Sequence, residues 1–142
     1  PLGCVAIDAA GELVVAAPST ADPATFPLYV WSLQTGQLLE ELSGHTGPVS
    51  ALAFSPTGGS LLVSGSWDGT VRCWNIYARD HAPLTLTQDG SEVVALSLRP
   101  DGLELAVATR RGGLLLWDPV EGGQLKQIDC RRDFADRPLS PH

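Results

Sequence analysis

The apolar residues of this chain fall in short runs, and each run is bounded by glycine, proline or aspartate. Such runs are too short for helices and are typical of β-strands separated by tight turns. The pair Asp68-Gly69 is the clearest turn signal, because a two-residue hairpin turn needs residues that tolerate positive φ. Around this turn the pattern predicts four strands, near residues 48–54, 60–66, 70–76 and 83–87.

The tryptophans show that this pattern is repeated along the chain. Trp31, Trp74 and Trp117 lie 43 residues apart, and each ends a similar apolar run. A second marker keeps nearly the same interval, since the Pro-Thr-Gly of 56–58 recurs as the Pro-Asp-Gly of 100–102. Self-similarity at a fixed period is the signature of a repeat architecture. It predicts four strands in each outer third as well, near 3–8, 12–17, 28–32 and 37–42, and near 93–98, 103–109, 113–117 and 124–129.

Four antiparallel strands in about 40–45 residues form one blade of a β-propeller. We therefore predict an all-β fragment of a propeller, built from three four-stranded antiparallel blades. The blades are expected at 1–43, 44–88 and 89–129, and the polar, proline-containing remainder at 130–142 is expected to be a flexible tail. Because closing the ring takes typically about four to eight blades, we expect the chain to be part of a longer one.

The middle repeat resembles the WD repeat in three motifs. These are Gly44-His45, the Ser-Gly-Ser-Trp-Asp-Gly-Thr of 64–70, and Trp74-Asn75. In that family a histidine, a strand serine or threonine, a turn aspartate and the tryptophan form a hydrogen-bonded tetrad. The resemblance places this tetrad at His45, Ser64 (or Ser66), Asp68 and Trp74. The third repeat departs from the pattern, with Val107 (or Thr109) at the serine position and Arg111 at the aspartate position.

A serine, a histidine and an aspartate together also suggest a hydrolase. Neither Ser64 nor Ser66 lies in a Gly-x-Ser-x-Gly elbow, and a buried indole needs a partner for its N–H. We therefore expect the cluster to be structural, with no catalytic, cofactor-binding or metal-binding residue. The three cysteines, Cys4, Cys73 and Cys130, form no Cys-x-x-Cys pair and favour neither a zinc site nor a disulfide framework.

Three residues near the tetrad are the candidates for contact with a partner protein: Trp67, Pro48 and Ser50. Trp67 precedes the turn aspartate and is expected in a loop at one end of the sheet. Pro48 and Ser50 lie at the start of the innermost strand predicted for the same repeat.

Charge restricts the class of partner. The chain has sixteen acidic and nine basic residues, for a net charge of −7, whereas a nucleic-acid-binding face normally carries a basic patch. We therefore expect protein partners, with any RNA association of this segment being indirect. No apolar stretch approaches the roughly 18 residues of a membrane span, so no membrane association is expected.

Within the family, the likeness is greatest to scaffold proteins of the small-subunit processome. The more specific matching stretches are Val30–Gly36 and Arg99–Thr109. The resemblance implies a non-catalytic scaffold in a large ribonucleoprotein assembly of the nucleus and nucleolus, acting in precursor rRNA processing for the small ribosomal subunit. The alternatives are a WD scaffold of another complex, such as a ubiquitin-ligase adaptor or a trafficking coat, and a propeller enzyme. An enzyme would need convergent carboxylates, a metal set or an exposed nucleophile, and the sequence offers none of these.

Overall fold

The computed structural model describes residues 2–18, 26–57, 61–76, 84–87, 90–119 and 123–129. In this part of the chain the strands form three separate four-stranded antiparallel sheets, each with its strands in chain order. The prediction of an all-β chain with antiparallel sheets is confirmed. The predicted tail at 130–142 lies outside the described residues.

The twelve strands of the described residues differ from the predicted ones by at most two residues at either end. The first sheet contains β1 (Leu2–Ile7), β2 (Leu13–Pro18), β3 (Leu28–Ser32) and β4 (Leu38–Leu42). The second sheet contains β5 (Val49–Phe54), β6 (Leu61–Ser66), β7 (Thr70–Asn75) and β8 (Leu84–Thr87). The third sheet contains β9 (Val93–Leu98), β10 (Leu105–Thr109), β11 (Gly113–Trp117) and β12 (Gln124–Asp129).

The turns form where the sequence places turn residues. Between β1 and β2, the Oδ1 atom of Asp8 accepts the backbone N–H groups of Glu12 and Leu13, at 2.7 and 3.0 Å. Between β6 and β7, Gly69 has a φ of 85°, a value that glycine adopts without the steric cost that a Cβ would bring. The predicted Asp-Gly turn is thus present, with the glycine in the left-handed region.

Side chains that alternate along each strand pack the sheets face to face. Leu62 and Trp74 of the second sheet pack in one apolar core with residues of the first sheet, such as Val30. Val63 points the other way and packs in a second core with residues of the third sheet, such as Val107. Full burial of a valine or leucine side chain stabilises a fold by about 1.5–3 kcal/mol, so both interfaces of the second sheet contribute to stability.

The first strands of the three sheets lie side by side, because β5 contacts both β1 and β9. At the contact between the second and third sheets, a Cβ on Gly65 would lie 2.5 Å from Cγ1 of Val93. The second and third sheets therefore approach this closely only because position 65 has no side chain. Ser50 of β5 crosses the same contact and donates its hydroxyl to the backbone carbonyl of Val93.

The outer faces of the first and third sheets are not covered by any described residue. On the first sheet, Val5 and Ile7 are 63% and 58% exposed. Trp31 is only half-buried on this face, where its ring centroid lies 5.8 Å from that of Tyr29. On the third sheet, Leu114 and Leu116 alternate with the core residues of β11 and are partly exposed. Both ends of the three-sheet stack are therefore apolar.

Candidate functional site

The four tetrad residues come from four places in and around the second sheet. His45 precedes β5, Ser64 lies in β6, Asp68 lies in the turn after it, and Trp74 lies in β7. Leu62 is the cross-strand partner of Trp74, so Ser64 is the next side chain on the same face of β6. The pleat thus places a hydroxyl within reach of the indole.

The structure brings all four side chains into one hydrogen-bonded chain. The indole Nε1 of Trp74 donates to Oγ of Ser64 at 2.9 Å. Nε2 of His45 lies 2.6 Å from the same oxygen, and Nδ1 of His45 lies 3.0 Å from Oδ2 of Asp68. Every group is satisfied if His45 is neutral with its proton on Nδ1: the serine then donates to Nε2 and the histidine donates to the carboxylate. We assign that tautomer from the network.

Asp68 accepts hydrogen bonds on both of its carboxylate oxygens. Its Oδ2 also accepts the backbone N–H of Thr46 at 3.0 Å, and its Oδ1 accepts the N–H and hydroxyl of Thr70 at 2.8 and 2.6 Å. Burial by itself would raise the pKa of Asp68, but the hydrogen bonds from His45, Thr70 and Thr46 outweigh it and hold the pKa well below the usual range. The carboxylate is therefore ionised at neutral pH and fixes the β6–β7 turn against the segment before β5.

The cluster offers no reactive group to solvent. Ser64 and His45 are both buried, and the serine oxygen is already shared between an indole and an imidazole. A nucleophilic serine has to reach a substrate carbonyl, and no substrate can approach this one. The arrangement holds β6, β7 and the His45 segment together.

Ser66, the alternative tetrad serine, occupies a different position. Its hydroxyl lies 2.9 and 3.1 Å from the backbone carbonyls of Gly47 and Pro48, and it accepts the N–H of Asp68 at 3.0 Å. Gly47 fits closely here, since a Cβ on it would lie 2.9 Å from the backbone nitrogen of Asp68. Ser66 therefore attaches the 47–48 segment to the turn, while Ser64 is the residue in contact with the indole.

The three candidate contact residues differ in what they expose. Trp67 is 47% exposed, and Cζ of Arg110 lies over its ring, 5.3 Å from the centroid. Pro48 is partly buried and accepts the N–H of Trp67 at 3.0 Å. The hydroxyl of Ser50 is directed at backbone carbonyls of Gly65 and Val93, which makes it a link between sheets. A partner contact stays a prediction for all three residues, and Trp67 is the one whose side chain is open to solvent.

Sequence reasoning did not find two features of this region. The contact of Arg110 with Trp67 joins different sheets and has no local signal. The role of Thr70 does have a local signal. Aspartate side chains often accept the backbone N–H two residues further on, and Thr70 stands two residues after Asp68.

The third sheet repeats the geometry without the polar groups. Leu105 is the cross-strand partner of Trp117, as Leu62 is of Trp74, so Val107 takes the place of Ser64. The indole Nε1 of Trp117 is buried and has no hydrogen-bond partner among the described residues. Leaving a buried donor without an acceptor costs about 1–3 kcal/mol. The valine at position 107 therefore lowers the stability of the third sheet relative to a residue with a hydroxyl acceptor.

The described residues contain no helix of the length and apolarity needed to cross a bilayer. They also contain no group of three or more histidine, cysteine or acidic side chains placed to hold a metal ion.

Comparison with known protein families finds a match to the middle of the chain. Residues 36–75 match the family described as WD domain, G-beta repeat. This stretch of the chain is therefore similar to a WD repeat. The match includes all four tetrad residues, and the WD repeat corresponds to β4 through β7.

Whole-chain relatives confirm the resemblance to one kind of WD-repeat protein. The chain is 48% identical over 132 residues to a Periodic tryptophan protein 2 homolog of Neurospora crassa, covering 93% of this chain and 14% of that protein. It is 46% identical over 133 residues to Periodic tryptophan protein 2 of Saccharomyces cerevisiae, covering 92% and 14%. The Small ribosomal subunit protein RACK1y of Oryza sativa is 39% identical over 102 residues, covering 70% of this chain and 30% of that protein. The chain thus spans about a seventh of the length of the first two relatives.

Proposed function

We propose that this chain is part of a non-catalytic WD-repeat scaffold in a nucleolar complex for small ribosomal subunit biogenesis and precursor rRNA processing. One observation carries the proposal: the similarity to Periodic tryptophan protein 2 homologues extends over 92–93% of the chain. It therefore includes the third sheet, where the tetrad is incomplete and a generic WD pattern explains less of the identity. The resemblance to processome scaffolds described above supplies the biological role.

The physical features of the site fit a scaffold. Its polar cluster fixes loops, and its buried serine and histidine leave nothing for a substrate to meet. Rigid loops at the ends of sheets are suited to binding partners, because little conformational entropy is lost when they are bound.

We further propose that the three sheets are neighbouring blades of a β-propeller. Two observations support this: the first strands lie side by side in the order β1, β5, β9, and the outer faces of the first and third sheets are apolar and uncovered. Further blades, supplied by the rest of a longer chain, would bury both faces and close the ring.

The partners proposed are protein subunits of that ribonucleoprotein assembly. The net charge of −7 disfavours direct contact with a phosphate backbone, so this segment would reach the precursor rRNA through other subunits.

Affinity purification of the tagged full-length protein that contains this chain tests the role. We expect small-subunit precursor factors and precursor rRNA in the eluate, a nucleolar signal from a fluorescent fusion, and accumulation of unprocessed precursor rRNA after depletion. A tagged, unrelated WD-repeat protein is the matched control. Recovery of ubiquitin-ligase or coat subunits in place of precursor factors would refute the proposal and support the alternative scaffold.

A further inference from the structure

Four side chains of the second and third sheets form an exposed group at one end of these sheets: Trp67, Glu92, Arg110 and Arg111. We call this group the Trp–Arg surface. Trp67 lies in the β6–β7 turn, Arg110 and Arg111 lie in the β10–β11 turn, and Glu92 immediately precedes β9. The side chain of Arg110 is 60% exposed and stacks over the half-exposed indole. An aromatic ring and a guanidinium are thus presented together to solvent.

The backbone under the Trp–Arg surface is fixed before any partner binds. The N–H of Arg110 donates to the carbonyl of Glu92 at 2.8 Å, and the N–H of Arg111 donates to Oγ of Ser91 at 3.1 Å. On the other side, Trp67 is followed by Asp68, which the tetrad holds in place. The two halves also touch, since a Cβ on Gly69 would lie 3.0 Å from backbone atoms of Gly90. A partner would therefore meet a preorganised surface.

The charges of this surface are only partly balanced. Nε of Arg110 lies 3.4 Å from Oε2 of Glu92, so one guanidinium has a carboxylate partner. Among the residues that the structure describes, the side chain of Arg111 forms neither an ion pair nor a hydrogen bond. Tryptophan and arginine are the residues most enriched where binding energy is concentrated. A guanidinium with free N–H groups binds a carboxylate through two parallel hydrogen bonds.

We propose that the Trp–Arg surface binds an acidic peptide segment of a partner protein. One carboxylate pairs with Arg111, and the peptide chain passes over Trp67 and the unpaired edge of Arg110. RNA fits this surface less well, because phosphate-backbone binding depends on several cations acting together. Here Glu92 neutralises one guanidinium, so a single arginine is left to bind an anion, which suits one carboxylate better than a run of phosphates. This inference names the partner chemistry of the scaffold proposed above and rests on that scaffold role, whichever assembly it serves.

The test uses the full-length protein that contains this chain and a fluorescein-labelled octapeptide of alternating Glu and Gly, read by fluorescence anisotropy. We expect saturable binding that weakens about thirtyfold in Arg111→Gln and in Trp67→Ala, the lower limit of the loss at a binding hot spot. Arg99→Gln is the matched control. It removes the same charge from an exposed arginine in the β9–β10 turn, at the opposite end of the third sheet, and should leave binding unchanged.

Four outcomes would overturn the proposal. They are no binding of the acidic peptide, equal binding of the same peptide with Gln in place of Glu, an equal loss in Arg99→Gln, and tighter binding of a labelled uridine dodecamer that Arg111→Gln abolishes. The last outcome would identify the surface as an RNA site. Failure of the peptide assay together with normal co-purification of precursor factors would reject this inference alone and leave the scaffold role standing.

Discussion

The indole N–H of Trp117 has no hydrogen-bond partner among the described residues. The value of the tryptophan–hydroxyl hydrogen bond can therefore be tested by adding an acceptor there, instead of removing one from the tetrad. Val107 stands where Ser64 stands in the second sheet, in the same register relative to the tryptophan. Val107→Thr keeps the β-branched shape and places a hydroxyl where the Trp117 N–H can donate to it. Relief of the stranded donor is worth about 1–3 kcal/mol, which offsets a cost of about 1–3 kcal/mol for burying a hydroxyl. We therefore expect Val107→Thr to be close to neutral.

Val63→Thr is the matched control for this substitution. Val63 is equally buried in the core between the second and third sheets, but it lies on a different sheet from Trp117 and lacks the cross-strand register that places position 107 beside this indole. This variant should bear the burial cost in full and be less stable by about 1–3 kcal/mol. Since each 1.4 kcal/mol is about tenfold in an equilibrium constant, the two variants should differ clearly.

Hydrogen exchange measured by mass spectrometry on the full-length protein is the assay, with opening of β10 and β11 compared between variants. A third variant, Trp117→Phe, removes the N–H, and in its background Val107→Thr should lose its advantage and behave like Val63→Thr. The difference in this double-mutant cycle measures the new hydrogen bond directly. Equal destabilisation by Val107→Thr and Val63→Thr, or no coupling to Trp117→Phe, would refute the argument.

Three further predictions concern the second sheet. Asp68→Ala should lower stability, because it leaves the buried imidazole of His45 and the part-buried N–H of Thr70 without their acceptor, at about 1–3 kcal/mol for each. The N–H of Thr46 is exposed and can bond to water instead. Faster exchange in β6 and β7 measures the loss, and an unchanged rate would contradict it. The pKa of Asp68 is lower in the folded than in the unfolded state. Its contribution to the free energy of unfolding is therefore fully present above the unfolded pKa and is lost as the pH falls toward the folded pKa. Asp68→Asn should reduce the fall in stability at acid pH, and an unaltered stability–pH profile would show that another carboxylate dominates. Gly65→Ala should loosen the contact of the second and third sheets by forcing a Cβ against Val93, whereas Gly123→Ala, where a Cβ meets no atom within 4 Å, should not; similar exchange in both variants would mean that the interface adapts.

The positions of the strands and turns could be predicted from the sequence, because they depend on residues that are close together in the chain. Short apolar runs and turn glycines determine where the strands begin and end. Ser64 and Ser66, however, are two residues apart and point to the same face of β6, so the strand pattern alone could not decide which of them meets Trp74. The cross-strand register decides it, by placing Leu62 opposite Trp74.

The packing between sheets could not be predicted in the same way. The contacts of Ser50 and Gly65 with Val93, and of Arg110 with Trp67, join residues from different sheets. No local pattern encodes such contacts, because they depend on how two sheets approach each other. The fixed 43-residue interval suggested that the tryptophans have equivalent environments. Trp31 is half-buried, however, whereas Trp74 is buried. The reason is that Trp31 lies on an outer face that no described residue covers.

The direction of the tryptophans gives this three-sheet stack a polarity. Trp74 packs toward the first sheet and Trp117 toward the second, while Trp31 points away from both. One end therefore presents an indole, and the other end presents the small and aliphatic side chains of Ala106, Ala108, Leu114 and Leu116, the kind of surface that receives the indoles inside the stack. Such complementary ends join head to tail, and they form a closed ring where the rotation returns to its start. Copies of this segment cut from its neighbours should thus associate as their concentration rises, and two copies would supply six sheets, within the range of about four to eight blades that closes a propeller. Light scattering should therefore level at the mass of a dimer.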